Sequence, residues 1–354
     1  MVLNYEIKTE KVNKSRLPEV DFTNIPFGRV FTDHMLVSDY INGEWQETNI
    51  MPFQELRLSP ATTVLHYGQE IFEGLKAYRD AEGNAYLFRP HENFRRFNIS
   101  ADRMVMPQIP KEIFMDGLRE LVTLDRGWIP DTEGGSLYIR PFMIATDDYV
   151  GIRPSNNYKF IIFCCPVNAY YAEPIKVKIE QEYVRAAKGG IGEAKTGGNY
   201  AASLYAASRA QKDGYQQVLW TDAAEHKWIQ ESGTMNVFFV IGDKVITPNL
   251  DGGILQGVTR DSVLRLLRDN EYKIEERPIS VDEVVEAYHA GELKEVFGAG
   301  TAAVIAYISA IGHLEDDMVL PPVEEWEVAN WLQKTMRGIK NFTVPDKYGW
   351  MIKA

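Results

Sequence analysis

A glycine-rich stretch around one lysine is the strongest chemical signal in the sequence. Lys195 is flanked within ten residues by five glycines, namely Gly189, Gly190, Gly192, Gly197 and Gly198. Glycine adopts positive φ easily and lets a ligand approach the main chain closely. A lysine amine becomes a nucleophile toward carbonyl groups once it loses its proton, which burial and nearby positive charge favour. The stretch therefore indicates a loop in which a lysine reacts with a ligand.

Two other interpretations of this loop stay open from the residues alone. From Gly189 to Thr196 the sequence reads Gly-x-x-x-x-Ala-Lys-Thr, which misses the nucleotide-binding pattern Gly-x-x-x-x-Gly-Lys-Thr at Ala194. Two more glycines follow at once, where the helix of a phosphate-binding loop should already have begun. The remaining interpretation is a flexible surface turn with a solvated lysine, which is the state we expect for Lys188.

A lysine that forms an imine suggests pyridoxal phosphate, and this cofactor needs further groups around it. A carboxylate must face its pyridine nitrogen so that the ring can accept electrons, and a donor must lie near its phenolic oxygen. Glu231, just before an apolar strand, is a candidate carboxylate. Tyr200 opens an alanine-rich helix directly after the glycines and is a candidate donor.

The phosphate of such a cofactor needs an anion site, and three segments could supply one. Helix N-termini offer unpaired N–H groups to phosphate, and Gly257-Val258-Thr259 opens a predicted helix, although Thr259 could simply cap it. The loop Gly298-Ala299-Gly300-Thr301-Ala302 could form a nest of N–H groups. Arg96, within another predicted helix, could add a charged donor.

Mixed strands and helices must position these residues. Apolar patterning and turn residues predict strands at Arg29–Ser38, Tyr40–Gln46, Ala85–Phe88, Ser136–Ala145, Tyr158–Val167, Ile175–Arg185, Gln217–Thr221, Met235–Ile241, Lys244–Thr247, Tyr272–Pro278 and Glu295–Phe297. The same criteria predict helices at His91–Met104, Lys111–Asp125, Tyr200–Lys212, Thr259–Arg268 and Val281–Ala290. The fold class is therefore α+β or α/β.

The chain length and texture predict two domains. Its 354 residues exceed the size of one typical domain. We expect a smaller α/β domain over 1–166, whose first ~20 residues form a loose arm, a linker over 167–174, and a larger domain over 175–354 that carries Lys195. Small-molecule sites often form between domains, so we expect the cofactor in an interdomain cleft.

Composition excludes several other classes of protein. With 38 basic and 50 acidic side chains the net charge is −12, so no global field attracts nucleic acid. No apolar run reaches the ~18 residues of a membrane-spanning helix. Adjacent strand residues point to opposite faces, so Cys164 and Cys165 are predicted to be reduced core thiols. The first 18 residues lack the apolar region of a secretion signal, and we expect a cytoplasmic protein.

The sequence resembles the branched-chain amino-acid aminotransferases, which belong to the fold type IV class of pyridoxal-phosphate enzymes. Matching strings run in family order over residues 27–302, beginning with Phe27-Gly28, Phe31-Thr32-Asp33-His34-Met35, His66-Tyr67 and Phe72-Glu73-Gly74. They continue with Leu137-Tyr138-Ile139-Arg140-Pro141, the lysine loop, Glu231-Ser232-Gly233-Thr234-Met235-Asn236 and Val296-Phe297-Gly298-Ala299-Gly300-Thr301-Ala302.

The resemblance implies a cofactor site. Lys195 would form the imine with pyridoxal phosphate and move a proton between the substrate Cα and the cofactor. Glu231 would pair with the pyridine nitrogen and Tyr200 with the phenolic oxygen. The remaining cofactor contacts would come from Arg96, Thr234, Val258, Thr259 and Thr301, and no metal is implied.

The resemblance also implies substrates and a partner. The enzyme would exchange the amino group of leucine, isoleucine or valine with 2-oxoglutarate. Arg140 and Tyr67 would bind the distal carboxylate of glutamate. The apolar pocket would be walled by Phe27, Tyr67, Phe72, Tyr138 and Tyr170, and the α-carboxylate would meet Thr301 and Ala302. A homodimer is implied, in which the loop with Val150 and Ile152 enters the partner's site. D-amino-acid aminotransferases and aminodeoxychorismate lyases are related alternatives within the same fold type.

Overall fold

The structure is a computed structural model that describes residues 6–132, 134–168 and 173–354. Its strands are β1 (Ile7–Thr9), β2 (His34–Ile41), β3 (Glu44–Pro52), β4 (Glu70–Phe72), β5 (Leu75–Arg79), β6 (Ala85–Phe88), β7 (Ser136–Ala145), β8 (Tyr158–Val167), β9 (Ile175–Glu180), β10 (Gln217–Thr221), β11 (Ile229–Ser232), β12 (Met235–Ile241), β13 (Lys244–Thr247), β14 (Lys273–Glu276), β15 (Leu293–Gly300), β16 (Val304–His313), β17 (Asp316–Val319) and β18 (Met351–Lys353). Its helices are α1 (Val64–Tyr67), α2 (Pro90–Arg103), α3 (Gly117–Leu124), α4 (Gly197–Lys212), α5 (Val258–Asp269), α6 (Val281–His289) and α7 (Val328–Lys340). Within these residues, no helix combines the length and the apolar character needed to cross a bilayer.

The described residues form two compact units. The first contains 6–132, 134–168, 194–197 and 338–354, and the second contains 173–193 and 198–337. The sheet of the first unit has the strand order β1-β3-β2-β8-β7-β5-β6-β18, with β4 paired to β7. Only the β1–β3 pairing is parallel among these described strands, and the other pairings of this sheet are antiparallel.

The sheet of the second unit closes into a ring. Its strand order is β11-β10-β9-β16-β15-β12-β13-β14, with β17 paired to β16. Because β11 pairs with β12 as well as with β10, the strands from β11 to β12 form a closed circuit. The closure makes β11, β12 and β15 neighbours, and predicted cofactor residues lie on or beside these three strands.

Six strands have the bounds that the sequence predicts, whereas the strand predicted at Ile175–Arg185 ends at Glu180 and the one predicted at Tyr40–Gln46 is divided by the turn between β2 and β3. The agreement is complete for the strands Ala85–Phe88, Ser136–Ala145, Tyr158–Val167, Gln217–Thr221, Met235–Ile241 and Lys244–Thr247. The strand predicted at Arg29–Ser38 begins only at His34, since a turn with Gly28 at φ +69° precedes it. The helix predicted over Lys111–Asp125 opens with a π-helical turn before α3 begins.

Two short segments belong to a different unit from the one that the predicted domain boundaries assign to them. Residues 194–197, which include Lys195, and residues 338–354 belong to the first unit and not with the rest of 175–354. The N–H of Phe72 donates to the carbonyl of Lys195 at 2.9 Å, which ties the lysine loop to β4. The C-terminal strand β18 pairs with β6. Both attachments are long-range hydrogen bonds, which a local pattern of residues does not reveal.

The segment predicted to be a loose arm is attached from Ile7 onward. β1 lies parallel to β3, and the N–H of Val12 donates to Nε2 of His34 at 3.0 Å. The carboxylate of Asp33 accepts hydrogen bonds from the hydroxyl of Ser15 and the N–H of Arg16. The Asp33-His34 pair, part of the family-like strings, therefore anchors the arm.

The two faces of the first sheet differ in what they carry. The helices α2 and α3 cover one face, where Leu36, Phe97 and Ile139 are fully buried. Side chains alternate between faces along a strand, so Tyr138 and Arg140, on either side of Ile139 in β7, point away from this core. The core thus lies on the helix side, and the candidate substrate residues lie on the other side.

Lys340, the last residue of α7, is buried against aromatic rings. Its Nζ lies 4.5 Å from the ring centre of Phe88 and 5.8 Å from that of Tyr78. Burial, together with the positive charge of Lys76, lowers the pKa of Lys340 to about 7 from 10.5. The unfolded chain therefore binds more protons than the folded one between about pH 7 and pH 10.

The pKa of Lys340 predicts that stability rises with pH above neutrality. Between pH 7 and pH 10 this one group should add up to about 1.4 kcal/mol to the free energy of unfolding for each pH unit. The variant Lys340→Met should flatten this rise, whereas Lys334→Met, at an exposed position of the same helix, should keep it. Urea unfolding at a series of pH values measures the slope. An equal slope in all three proteins would contradict a neutral buried amine.

Candidate active site

The lysine loop is fixed by main-chain hydrogen bonds within the first unit. The carbonyl of Lys195 accepts from the N–H of Phe72 at 2.9 Å, and the N–H of Lys195 donates to Oγ of Ser100 at 2.9 Å. The hydroxyl of Thr196 donates to the carbonyl of Glu70 at 2.7 Å. The backbone of Lys195 is therefore held on both sides, by β4 and by α2.

The side chain of Lys195 belongs to a cluster of cations and aromatic rings. Its Nζ lies 4.9 Å from the ring centre of Phe72, and the guanidinium carbon of Arg140 lies 4.5 Å from the same ring centre. Arg140 donates from Nη2 to the hydroxyl of Tyr138 at 3.0 Å. The ring of Phe27 meets that of Tyr138 edge-on with centres 5.4 Å apart. The structure thus brings together four predicted substrate residues and the predicted reactive lysine.

Arg96 forms a buried ion pair on α2. Its Nε and Nη2 donate to the two carboxylate oxygens of Glu73 at 2.7 and 2.8 Å. The amide of Asn93 donates to the same carboxylate at 2.7 Å. Burial would raise the pKa of Glu73, but Arg96, the charge of Lys195 and the amide of Asn93 together hold it below its ordinary value. Arg96 is therefore oriented by Glu73, whatever further ligand it binds.

The other predicted residues of the first unit are exposed. The exposed fractions are 41% for Tyr67, 70% for Val150 and 92% for Ile152. The loop that holds the last two is shaped by Asp147, whose carboxylate pairs with Arg153 at 2.9 Å. Tyr170, also predicted to wall the pocket, lies outside the described residues.

Glu231 is a buried carboxylate of the second unit with several donors around it. It is 4% exposed, and its Oε2 lies 3.0 Å from Nε of Arg185. Its Oε1 accepts from the amide of Asn236 and from the N–H of Leu255, both at 3.1 Å. Several donors around one carboxylate favour its negative charge. Glu231, the residue that the sequence predicts to face a pyridine nitrogen, is thus a buried carboxyl group surrounded by donors.

Asn236 links this carboxylate to the start of α5. Its amide also donates to the carbonyl of Leu255 at 3.0 Å, and a Cβ added to Gly257 would collide with its Oδ1. Glycine is therefore required just before the helix, which begins with Val258 and Thr259. The first N–H groups of a helix have no partner within it, so this end suits an anion.

The turn between β15 and β16 lies close to Asn236. Asn236 pairs with Ala299 across β12 and β15, and Thr301 and Ala302 follow two and three residues later. Met235 packs against Gly298 and Gly300, where any side chain would crowd it. Asn236 therefore connects the neighbourhoods of Glu231, the α5 N-terminus and the Thr301 turn.

Two predicted cofactor residues of the second unit lie at its edges. Tyr200 is half-buried in the first turn of α4. Thr234 is exposed at the turn between β11 and β12, directly after Gly233.

Five residues that organise the site received no role from the sequence, namely Glu73, Asn93, Ser100, Arg185 and Asn236. Three polar residues of α2, Asn93, Arg96 and Ser100, recur at i, i+3 and i+7 and are all buried. Polar residues on the buried face of an amphipathic helix were a usable signal for Asn93 and Ser100. Arg185, at the end of a strand-like run, carried none.

Comparison with known proteins shows the family to which this chain belongs. The family described as "Amino-transferase class IV" matches residues 70–311, and the chain belongs to this family. Branched-chain-amino-acid aminotransferase 2 of Bacillus subtilis (strain 168) is 46% identical to it over 344 residues, which cover 96% of this chain and 95% of that protein. The resemblance predicted from the sequence is confirmed.

Solved structures show the same architecture. The branched-chain aminotransferase of Thermoproteus uzoniensis with norvaline has a TM-score of 0.75 at 25% identity and covers 90% of this chain and 99% of that chain. The T.th. branched-chain amino acid aminotransferase with pyridoxamine 5'-phosphate has a TM-score of 0.71 at 26% identity, covering 89% of this chain and 98% of that chain. The predicted fold class, the mixed α/β fold type IV architecture, is confirmed by this similarity.

Proposed function

We propose that this protein is a pyridoxal-phosphate-dependent transaminase that exchanges the amino group of leucine, isoleucine or valine with 2-oxoglutarate. Its family and the similar aminotransferases support the reaction class and the branched-chain substrates. The observation that carries the proposal is the fixed backbone of Lys195 beside the rings and guanidinium of Phe72, Tyr138 and Arg140.

The residues present fit pyridoxal phosphate. Glu231, buried and surrounded by donors, would face the pyridine nitrogen, and Tyr200 the phenolic oxygen. The phosphate would be held by Arg96 and by N–H groups at Val258, Thr259 and Thr301, with Thr234 at the rim. The glycine before α5, which Asn236 requires, keeps side-chain atoms away from this helix end.

The mechanism assigns acid–base work to Lys195 and charge control to Glu231. When bound, the cofactor supplies an electron sink that stabilises negative charge at the substrate Cα. The Lys195 amine would take the proton from the substrate Cα and deliver it to C4′ of the cofactor. Glu231, positioned by Arg185 and the amide of Asn236, would pair with the pyridine nitrogen and favour its protonated form.

Substrate binding would combine an aromatic wall with one displaceable cation. Phe27, Phe72 and Tyr138 would contact the branched side chains. Arg140, which already bonds the hydroxyl of Tyr138, would turn to the distal carboxylate of glutamate together with Tyr67. The N–H groups at Thr301 and Ala302 would bind the α-carboxylate that every substrate shares.

The proposal includes a homodimer in the cytoplasm. Val150 and Ile152 are apolar residues left exposed on a loop that Asp147 and Arg153 hold in shape. Such a loop is suited to enter the site of a second copy. The two free thiols, Cys164 and Cys165, are compatible with a reducing compartment.

A substrate panel tests the proposal. The purified protein should show a visible absorbance band that changes when leucine is added, and leucine should react much faster than D-alanine. Release of product from aminodeoxychorismate would favour the related lyases. A protein that binds no pyridoxal phosphate, or one that hydrolyses ATP through Lys195, would contradict the proposal.

A further inference from the structure

Glu70 lies on the same face of the first sheet as the candidate substrate residues. Glu70 and Phe72 occupy alternate positions of β4, and they pair with Ile144 and Phe142 of β7. Opposed residues of paired strands share a face, so Arg140, two residues before Phe142, belongs to this face as well. The guanidinium of Arg140 lies over the ring of Phe72, in the neighbourhood of the Glu70 carboxyl.

The carboxyl group of Glu70 is held in place by the lysine loop. Its Oε1 accepts the N–H of Gly197, and a Cβ at Gly197 would collide with this oxygen. The carbonyl of Glu70 accepts the hydroxyl of Thr196 at 2.7 Å. The acidic group is therefore fixed against the loop of Lys195.

Burial, two hydrogen-bond donors and one cation act on this carboxyl. Burial raises the pKa of Glu70, while hydrogen bonds from Gly197 and Thr196 and the charge of Arg140 oppose the rise without cancelling it. The other charged groups next to β4 are Lys195, whose Nζ lies over the ring of Phe72, and the ion pair of Arg96 with Glu73, the residue that follows β4.

We propose that Glu70 sets the balance between dicarboxylate and branched-chain substrates. Its negative charge partly neutralises the positive charge of Arg140. Arg140 therefore attracts the distal carboxylate of glutamate or 2-oxoglutarate less strongly. A branched-chain substrate has no second carboxylate and does not meet this repulsion. The inference rests on the proposed function, in which Arg140 binds that distal carboxylate.

The balance serves an enzyme that must use both kinds of substrate in one pocket. Without a competing anion, a guanidinium against aromatic rings would hold a dicarboxylate strongly. A dicarboxylate that dissociates slowly would keep leucine, isoleucine and valine out of the pocket. Glu70 weakens only the dicarboxylate, because only that substrate places a like charge beside it.

The test measures binding of two unreactive acids to the protein purified with its cofactor. Calorimetry should show that Glu70→Gln binds glutarate about five- to tenfold more tightly than the wild type, the size expected of one partly screened charge. Binding of 4-methylpentanoate should change by less than about twofold. The glutamine oxygen can still accept the N–H of Gly197, so the loop should keep its place. The matched control Glu120→Gln removes an exposed charge from α3, on the other face of the sheet, and should change neither acid.

A pH series separates the charge of Glu70 from its packing. As the pH falls, Glu70 gains its proton earlier than an ordinary glutamate, so its repulsion of glutarate should fade. The affinity advantage of Glu70→Gln over the wild type for glutarate should therefore shrink toward one, and this ratio cancels the protonation of glutarate itself. Equal effects of Glu70→Gln on both acids, or none on glutarate, would overturn the inference. Failure of the protein to react with leucine would instead overturn the proposed function. The two failures can be distinguished, because one is measured by binding and the other by turnover.

Discussion

Replacement of Lys195 by alanine is expected to lower the rate of amino-group transfer by about a thousandfold or more. No other amine is tied to β4 and α2 at this place among the described residues, so the proton at the substrate Cα would lose its acceptor. A positioned acid or base contributes about 10² to 10⁴ in rate, and loss of the covalent link to the cofactor adds to this. Single-turnover kinetics with leucine measure the effect.

Lys188 provides the matched control for this prediction. It belongs to the same glycine-rich stretch, is exposed and lies in the second unit. Lys188→Ala should therefore leave the rate within about twofold, as expected of a solvated surface lysine. The hydrogen bonds of residue 195 use main-chain atoms, so the alanine variant should keep its circular dichroism and its unfolding midpoint. Loss of activity in Lys188→Ala instead would mean that the reactive lysine has been misassigned.

The sequence predicts those parts of the fold that depend on local patterning. Ser136–Ala145 and Tyr158–Val167 are long alternating or apolar runs bounded by turn residues, and the structure has them with the same ends. The short strand β4 cannot be predicted in this way, because three residues are too few to show an alternating pattern of apolar and polar side chains. It exists because β7 pairs with one of its edges, while the lysine loop bonds the N–H of Phe72.

The residues of the candidate site also fall into those that the sequence predicts and those that it does not. Lys195 and Glu231 stand out by residue type and by the glycines or strand around them, so composition and spacing find them. Glu73 and Arg185 are recognised only when their partners, Arg96 and Glu231, come close across many residues of chain. Assignment of residues 194–197 to the first unit depends on the same kind of long-range bond. The local sequence therefore indicates which residues can react, whereas the residues that orient them are found only from tertiary contacts.

Glu73 is the clearest case of a residue that acts only through its contacts. Its carboxylate is fully buried and holds two nitrogen atoms of Arg96 in a bidentate pair, with Asn93 as a third donor. A buried guanidinium without its carboxylate pays a desolvation penalty that nothing offsets. The variant Glu73→Ala should therefore destabilise the first unit more than any change at its surface.

The expected loss for Glu73→Ala is about 3–5 kcal/mol in the free energy of unfolding. Glu92→Ala breaks an exposed pair with Arg95 on the same helix, at 3.1 Å, and should cost less than about 1 kcal/mol. Urea unfolding of both variants measures the difference. Added inorganic phosphate should stabilise Glu73→Ala at least as much as the wild type, because an anion bound at Arg96 would offset the missing carboxylate. Equal losses in the two variants would contradict a buried ion pair, and the absence of any stabilisation by phosphate in Glu73→Ala would contradict an anion site at Arg96.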